Sequence, residues 1–346
     1  MDKLIIESKY SGLGKTFRLP KFFFKPVIIN DYWDYVELYL KSNKMNIAGI
    51  YWQQAREFYM ASIGLPTTSS SLILYYCFLN ATKALLTAKG ISFTLTDGLP
   101  NLTESGHTRL ENEQITFHPD GVLHALSRYF EDTGTSESHH HAFKDLLYNL
   151  LFLQKAFALT YKNKRPEMFI PIYHPHFIKA DESDAFYLRF MVWSNFANRY
   201  TAKKICALGF RLHSDDYDNF ISNDSFEWSN LREKKNASLR QAIEFHKKQR
   251  RNIHYEVNTI LKWYLKRTGI KHTVDKHPLT IMLAGMKKVS ELARYTPVSL
   301  VKYLNSKENW LLTEFIENSP KQFIDQISCE ITNQSLVYRR SESSKI

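Results

Sequence analysis

Cysteine is scarce in this chain of 346 residues. The three cysteines, Cys77, Cys206 and Cys329, lie far apart in the sequence. Three separated thiols exclude a disulfide framework and a four-thiolate zinc site, and they are typical of a reducing compartment. No uninterrupted apolar run approaches the roughly 18 residues that a membrane span needs. The first ten residues, MDKLIIESKY, lack the regions of a secretion signal. We therefore expect a cytoplasmic protein with no membrane contact.

Complete nucleotide-binding and nucleophile motifs are also lacking. Residues 12–16 read GLGKT, but a phosphate-binding loop needs a glycine where Lys9 stands. Pro20 follows closely, where such a loop would lead into a helix. No G-x-S-x-G turn occurs, and no cysteine has the surroundings of a known catalytic family. We therefore interpret residues 12–16 as a turn and expect no cofactor.

Histidine and aspartate clusters are present but incomplete as metal sites. Histidines 139–141 stand at the start of a predicted helix, where adjacent side chains point in different directions. His174 and His176 would share one face of a strand and supply two ligands. Aspartates 215, 216 and 218 form an acidic cluster. None of these groups supplies three or four converging ligands locally, so we expect no metal.

Positive charge is present in excess and is concentrated in one segment. The chain has 46 Lys and Arg against 35 Asp and Glu, a net charge of +11. Residues 232–276 contain thirteen basic and four acidic residues, so this segment alone carries +9. A local excess of this kind is typical of a surface that binds a polyanion, whereas the simpler interpretation is a solvated helix face.

The apolar pattern predicts a mainly helical α+β protein, with a helical body and a small β-rich insertion. LILYYCFLNATKALLTAK, from Leu72 to Lys89, predicts a core helix that stops at Gly90, because its apolar residues wrap around more than one face. MFIPIYHPHF and AFYLRFMVW are rich in aromatic and branched residues and predict strands. We therefore divide the chain into helical residues 1–165, β-rich residues 166–228 and helical residues 229–346.

Five stretches carry a resemblance to a known family. They are YWQQAREFY from Tyr51, LILYYCFLNATKALL from Leu72, a loop with His107, ITFHPDGVLHAL from Ile115, and LAGMKKVSELARYTP from Leu283. These stretches resemble the YaaC-like proteins, a bacterial family without an assigned reaction. The resemblance implies an architecture and a cytosolic bacterial setting, and it implies no catalytic residues.

The most polar part of the family-like region is a loop that could line a pocket. Its candidates are His107, Arg109 and His118, since loop residues carry function more often than core residues. The alternative is structural, with Gly106 forming a turn and His107 capping a neighbouring helix.

One long basic helix is the sharpest prediction. Residues 231–268 contain no glycine or proline, and Gly269 supplies a helix stop. Asn230 could cap the start, with Glu233 three residues later in a capping-box arrangement. At about 1.5 Å per residue, this helix would exceed about 50 Å in length.

The predicted helix carries a continuous seam, here called the 239–264 seam. Its members are spaced by four and three residues alternately: Leu239, Ile243, His246, Arg250, Ile253, Val257, Ile260 and Tyr264. Such a seam faces a partner helix, in this chain or in another copy or protein. His246 and Arg250 interrupt its apolar character, and a buried arginine needs a carboxylate or several carbonyls.

The first functional hypothesis is nucleic-acid binding, to RNA or single-stranded DNA. The cations and the histidine expected to contact it are Lys234, Lys235, Lys247, Lys248, Arg251, His254, Lys262, Lys266 and Arg267. Basic side chains along one helix can follow a phosphate backbone. Tyr255, Trp263 and Tyr264 are interleaved with these residues and could stack on unpaired bases.

Two further functional hypotheses remain open. A purely structural role is a further alternative, in which Arg250 is paired in the interior. The helix resembles the active helix of the HEPN ribonucleases, which carry an Arg-x(4–6)-His motif. Arg240 and His246 fit it, as do Arg267 and His272. A metal-independent ribonuclease would then use His246 as acid and base, with Arg240 or Arg250 holding the phosphate. The third hypothesis is a non-enzymatic scaffold, such as a subunit of a phage-defence complex, docked through the 239–264 seam.

Overall fold

The fold is α+β and mainly α, as predicted. A computed structural model describes residues 5–6, 9–10, 12–22, 25–95, 109–134, 136–162, 165–180, 183–213, 217–229, 231, 233–257 and 261–339. Eleven α-helices and thirteen strands occur in these residues. Helix accounts for 52% of the residues and strand for 18%.

The chain divides into two compact units. The sheet unit comprises Met1–Val27, Glu167–Ile270 and Asn333–Val337, and the helical unit comprises Ile28–Pro166, Lys271–Thr332 and Tyr338–Ile346. The short strands β3 (Val27–Ile29) and β13 (Leu336–Tyr338) lie where the chain passes from one unit to the other. The β-rich region therefore begins close to the predicted residue 166 but extends to 270, well beyond the predicted 228.

The helical unit is built around one apolar helix. Its elements are α1 (Tyr32–Ser42), α2 (Asn46–Ser62), α3 (Thr67–Ala88), β4 (Gln114–Phe117), α4 (Gly121–Tyr129), β5 (His139–Ala142), α5 (Phe143–Tyr148), α6 (Gln154–Tyr161), α9 (Pro278–Tyr295), α10 (Pro297–Leu304) and α11 (Asn309–Thr332). Helix α3 packs against α2, α9 and α11. It is the one described helix with the length and apolar composition of a membrane span, and 67% of its apolar window is buried in the fold.

Close helix packing in this unit depends on specific residues. The rings of Phe78 on α3 and Phe323 on α11 stack with centroids 3.9 Å apart. Gly285 on α9 faces Phe315 on α11, and a Cβ atom there would lie 2.8 Å from the ring. Glycine at this position therefore permits the close approach of α9 and α11.

The sheet unit contains a seven-stranded antiparallel sheet and two helices. Its elements are β1 (Ile5–Ile6), β2 (Lys9–Tyr10), β6 (Phe169–Lys179), β7 (Ala185–Val192), α7 (Arg199–Cys206), β8 (Phe210–Leu212), β9 (Asn219–Ser222), β10 (Phe226–Glu227), α8 (Lys235–Asn252), β11 (Ile253–Val257) and β12 (Leu261–Lys266). The strand order is β11-β12-β6-β7-β9-β8, and β10 pairs with β7.

The two faces of this sheet differ in what covers them. Side chains alternate between faces along each strand, and directly paired residues share a face. Phe186, Leu188 and Phe190 of β7 belong to one core cluster, which also contains Ala202 and Ile205 of α7 and Ala242 and Phe245 of α8. Both helices described in the sheet unit therefore pack on this face, which we call the helix-covered face. We call the other one the open face because neither helix packs on it; Phe169, Ile178 and Ile221 on this face are nevertheless buried, whereas Trp193 and Arg211 are exposed.

The predicted helix over 231–268 is wrong in its second half. Helix α8 ends at Asn252, and residues 253–266 form the β11–β12 hairpin. Alternation explains the switch: Ile253 and Tyr255 face the core, while His254 and Glu256 face the opposite side. Pairing of β12 with β6 adds this hairpin to the sheet. The predicted cap Asn230 lies outside the described residues, and the N-cap of α8 is Lys234.

Two histidine predictions also change. Histidines 139–141 form strand β5 instead of a helix start, so His139 and His141 share a face with rings 5.2 Å apart. A β-bulge follows Tyr173, and His174 has a φ of 51°, so His174 and His176 do not form the expected pair on one face. Among the described residues, no group of three His, Cys, Asp or Glu side chains could hold a metal ion.

Candidate nucleic-acid interface

The solvent side of α8 presents the predicted cations in part. Lys234, Lys235, Lys248 and Arg251 are exposed. Lys248 forms an ion pair of 2.8 Å with Asp224, and both side chains are well solvated. Exposed pairs of this kind contribute little to stability and release their lysine readily. These cations are therefore available for phosphate contacts.

Other predicted cations are less accessible. Lys247 is half-buried and pairs with Glu244 at 2.9 Å. Arg267 is also half-buried, and its Nη1 donates to the carbonyl of Glu167 over 2.8 Å. Lys262 on β12 is exposed. These contacts leave Lys262 as the freely accessible cation of the hairpin.

Three predicted nucleic-acid contacts are buried. His254 and Lys266 are 6% and 4% exposed, and Trp263 is 9% exposed. Tyr255, at 3% exposure, is equally inaccessible, and Tyr264 is half-buried. Tyr255 and Trp263 belong to the core cluster on the helix-covered face, because their strand positions point towards α8. The predicted stacking of bases on these two rings is therefore wrong.

Arg250 instead occupies the space beside those rings. Its guanidinium lies 5.2 Å from the ring centroid of Tyr255 and 5.3 Å from that of Trp263. Nη2 donates to the carbonyl of Lys15 over 3.1 Å, and Nη1 donates to the carbonyl of Ile253. Several carbonyls and two aromatic faces thus surround this buried arginine, as its burial requires.

His246 is fully buried and packs edge-on against Phe22, with ring centroids 5.5 Å apart. Neither ring nitrogen makes a hydrogen bond of good geometry. Burial, and to a lesser extent nearby Arg250, lowers the pKa of His246 to about 3, although the backbone at Gly14 and Phe17 opposes the shift. The imidazole is therefore neutral and inaccessible to a phosphodiester.

The remaining elements of the ribonuclease motif do not assemble either. Arg240 is exposed, and its Nε donates to the carbonyl of Asn236, whereas His246 points into the core. In the second motif, His272 Nδ1 lies 3.1 Å from Asp145 Oδ2 in the helical unit. The described geometry gives the ribonuclease hypothesis no support.

The 239–264 seam is not a continuous surface. Leu239 and Ile243 pack against the core of the sheet unit, and Ile253 and Val257 belong to a strand. Ile260 lies outside the described residues. The face predicted to meet a partner helix is therefore occupied by the sheet of the same chain.

A shallow pocket of about 30 Å³ lies in the helical unit. Its lining includes residues from three of the family-like stretches. Tyr75 lies on α3, His118 and Asp120 lie just before α4, and Lys287 lies on α9. His118 Nε2 is buried without a hydrogen-bond partner. Of the other pocket candidates, Arg109 is exposed and lies 3.5 Å from Glu111, and His107 lies outside the described residues.

The open face carries polar and aromatic residues that sequence reasoning missed. Tyr187, Arg189 and Met191 alternate with the core residues of β7 and are half-buried. Trp193 follows β7 and is 57% exposed. The alternation in AFYLRFMVW was the available signal, because every second residue of an antiparallel strand faces away from the core.

The charge divides unevenly between the units. The sheet unit contains 23 basic and 14 acidic residues, a net charge of +9. The helical unit contains 23 basic and 21 acidic residues, a net charge of +2. The electrostatic attraction for a polyanion therefore originates mainly in the sheet unit.

Comparisons with known proteins agree with the resemblance seen in the sequence. No curated protein and no solved structure matches the chain. The YaaC-like protein family matches residues 28–331, which include the helices and the sheet described above. The chain belongs to the YaaC-like protein family.

Proposed function

We propose that this YaaC-like protein is a cytoplasmic nucleic-acid-binding protein whose sheet unit contacts the phosphate backbone. The observation that carries the proposal is the net charge of +9 in the sheet unit against +2 in the helical unit. Neutralising phosphates with Lys and Arg releases counterions, and this release drives binding without sequence preference.

The phosphate contacts are assigned to the exposed cations of α8 and β12. Lys248 and Arg251 lie three residues apart on α8, so they are neighbours on its solvent side. Lys262 is exposed on β12. His254, Trp263 and Lys266 are not among the contacts, because a nucleic acid cannot reach side chains that are more than nine-tenths buried.

A salt series tests this proposal. Affinity for a labelled single-stranded RNA is measured by fluorescence anisotropy between about 50 and 200 mM salt. The logarithm of the association constant should fall linearly with the logarithm of the salt concentration. The variant Lys248→Gln/Arg251→Gln should bind more weakly and reduce the slope by about 1.4, because each single-strand phosphate contact contributes about 0.7.

The matched control removes two exposed cations from the helical unit. Lys302 and Lys321 are exposed on α10 and α11, and Lys302→Gln/Lys321→Gln changes the net charge by the same amount. The control should keep the wild-type slope. An affinity that is independent of salt, or equal losses in both double variants, would contradict the proposal.

A further inference from the structure

The part of the open face around β7 combines the exposed ring of Trp193 with half-buried tyrosines and two arginines. Tyr187, Arg189 and Met191 of β7 point to this face, and Tyr173 of β6 pairs with Met191. Alternate residues of a strand are about 6.6 Å apart, so these side chains form a row along β7. Arg211 of β8 shares the face through its pairing with Ile221, which in turn pairs with Arg189.

Contacts within the row hold its rings and cations in place. Trp193 lies with its ring centroid 5.2 Å from that of Tyr173. The guanidinium of Arg211 lies 5.1 Å from the ring of Tyr187, and its Nη1 donates to the carbonyl of Ser222 over 3.3 Å. Arg189 Nε donates to Asn219 Oδ1 over 2.9 Å. A guanidinium has five N–H donors, so these contacts leave both arginines able to bind an anion.

The composition of this face favours an anionic, aromatic partner. Trp193 is 57% exposed and lies beside Tyr173, so a face of its ring is accessible to a partner. The described acidic residues of the face, Glu227 on β10 and Glu256 on β11, lie at its periphery. Rings flanked by cations stack on bases of any sequence, while the cations neutralise phosphates.

Single strands fit this arrangement better than a duplex. A base can stack on an exposed ring only when it is unpaired and unstacked, whereas a duplex presents phosphates and groove edges. A sheet face that presents aromatic rings beside cations is a general solution for holding unpaired bases. We therefore propose that the open face binds a single-stranded nucleic acid on the side of the sheet opposite α8, with Trp193 as the stacking platform and the exposed Arg211 on a phosphate.

This inference rests on the proposed nucleic-acid binding, adds the substrate class, and places the base contact on the opposite side of the sheet from the α8 cations. The experiment compares Trp193→Ala with the wild-type chain, using single-stranded RNA, single-stranded DNA of the same sequence, and the corresponding duplex. Wild type should prefer the single strands. Trp193→Ala should lower single-strand affinity by about tenfold with little change for the duplex, while the salt slope stays as in wild type.

Two variants control for structure. Trp193→Phe should restore most of the affinity because it keeps an aromatic face. Trp310 is 48% exposed on α11 of the helical unit, so Trp310→Ala removes a comparable exposed indole and should leave binding unchanged. Circular dichroism of each variant confirms that the fold is retained.

The outcomes separate the two proposals. No binding of any nucleic acid by the wild-type chain would overturn both. Salt-dependent binding with equal affinity for duplex and single strands, or an unchanged affinity of Trp193→Ala, would overturn the open-face inference alone. A change of oligomeric state in Trp193→Ala with intact RNA binding would show that a second copy covers this face, and that result also overturns the inference. A preference for single-stranded RNA over single-stranded DNA, or the reverse, supports the open-face inference and identifies which sugar the site accepts.

Discussion

Replacing Arg250 by glutamine should destabilise the sheet unit strongly. The arginine is 4% exposed, and its guanidinium contacts the carbonyls of Lys15 and Ile253 and the rings of Tyr255 and Trp263. Truncation removes all of these contacts at once. It also leaves buried carbonyl groups with one fewer donor.

The magnitude follows from those contacts. A hydrogen bond from a charged donor contributes about 1.5–3 kcal/mol, and a desolvated cation–π contact contributes about 1–2 kcal/mol. These contributions are not additive, and removing the charge also relieves its desolvation cost. We therefore expect Arg250→Gln to lower the free energy of unfolding by about 3–4 kcal/mol. Arg250→Lys should cost about 2 kcal/mol, because an ammonium cannot reach two carbonyls and stack between two rings.

Urea unfolding followed by circular dichroism measures the effect. The neighbouring residue Arg251 is exposed, so Arg251→Gln is the matched control and should change stability by less than about 0.5 kcal/mol. If Arg250→Gln unfolds within about 1 kcal/mol of wild type, the structural role of Arg250 is refuted. A ribonuclease role for Arg250 predicts the reverse pattern, with a stable fold and lost RNA cleavage.

Two further predictions concern His246 and Gly285. The pKa of His246 is about 3 in the folded chain and about 6.5 when unfolded, so only the unfolded chain binds the proton between these values. The free energy of unfolding should therefore fall as the pH drops from 6.5 towards 3, by up to about 1.4 kcal/mol per pH unit. His246→Leu should remove this contribution. Urea titrations of both proteins at pH 7 and at acidic pH measure the difference. Gly285→Ala should lower stability by about 1–2 kcal/mol because its Cβ would lie 2.8 Å from Phe315. At Gly49 on α2, no atom lies within 4 Å of the new Cβ, so Gly49→Ala should instead raise the thermal midpoint through helix propensity. A loss of stability in both alanine variants would refute the packing argument.

Local sequence signals predicted the helical elements well where one signal dominated. Asp31, a residue type favoured at helix N-caps, precedes α1, and its side chain accepts from the Asp34 backbone N–H. The apolar segment that begins at Leu72 lies in the core helix α3, which ends at Ala88, and most of the sides of this helix are covered by other helices. In both places the local preference and the tertiary environment favour the same structure.

The same signals failed between Ile253 and Lys266, where two periodicities fit one sequence. Ile253, Val257 and Tyr264 match a helical spacing of four and seven, but Ile253, Tyr255 and Val257 match the alternation of a strand. Without a glycine or proline, the helical interpretation was the natural one. Pairing of β12 with β6 decided the outcome, and a contact between residues almost a hundred positions apart leaves no local trace in the sequence.

The candidate site was predictable in its charge and unpredictable in its geometry. Which cations are exposed depends on the face of α8 that meets the sheet, so Lys248 and Arg251 remain available while Lys266 does not. The open-face row had a sequence signal in the alternation of β7. That signal acquires meaning only when α7 and α8 are known to cover the same side of the sheet.

The sequence by itself determined the class of the protein, its core helix, its family and the location of its excess positive charge, because composition and periodicity act through local physics. The tertiary structure alone decided where α8 ends, why His246 and Arg250 are inaccessible, and which side chains of the sheet unit are exposed. Burial and strand pairing are properties of distant segments brought together, so they follow from the packed fold and from no short stretch of the chain.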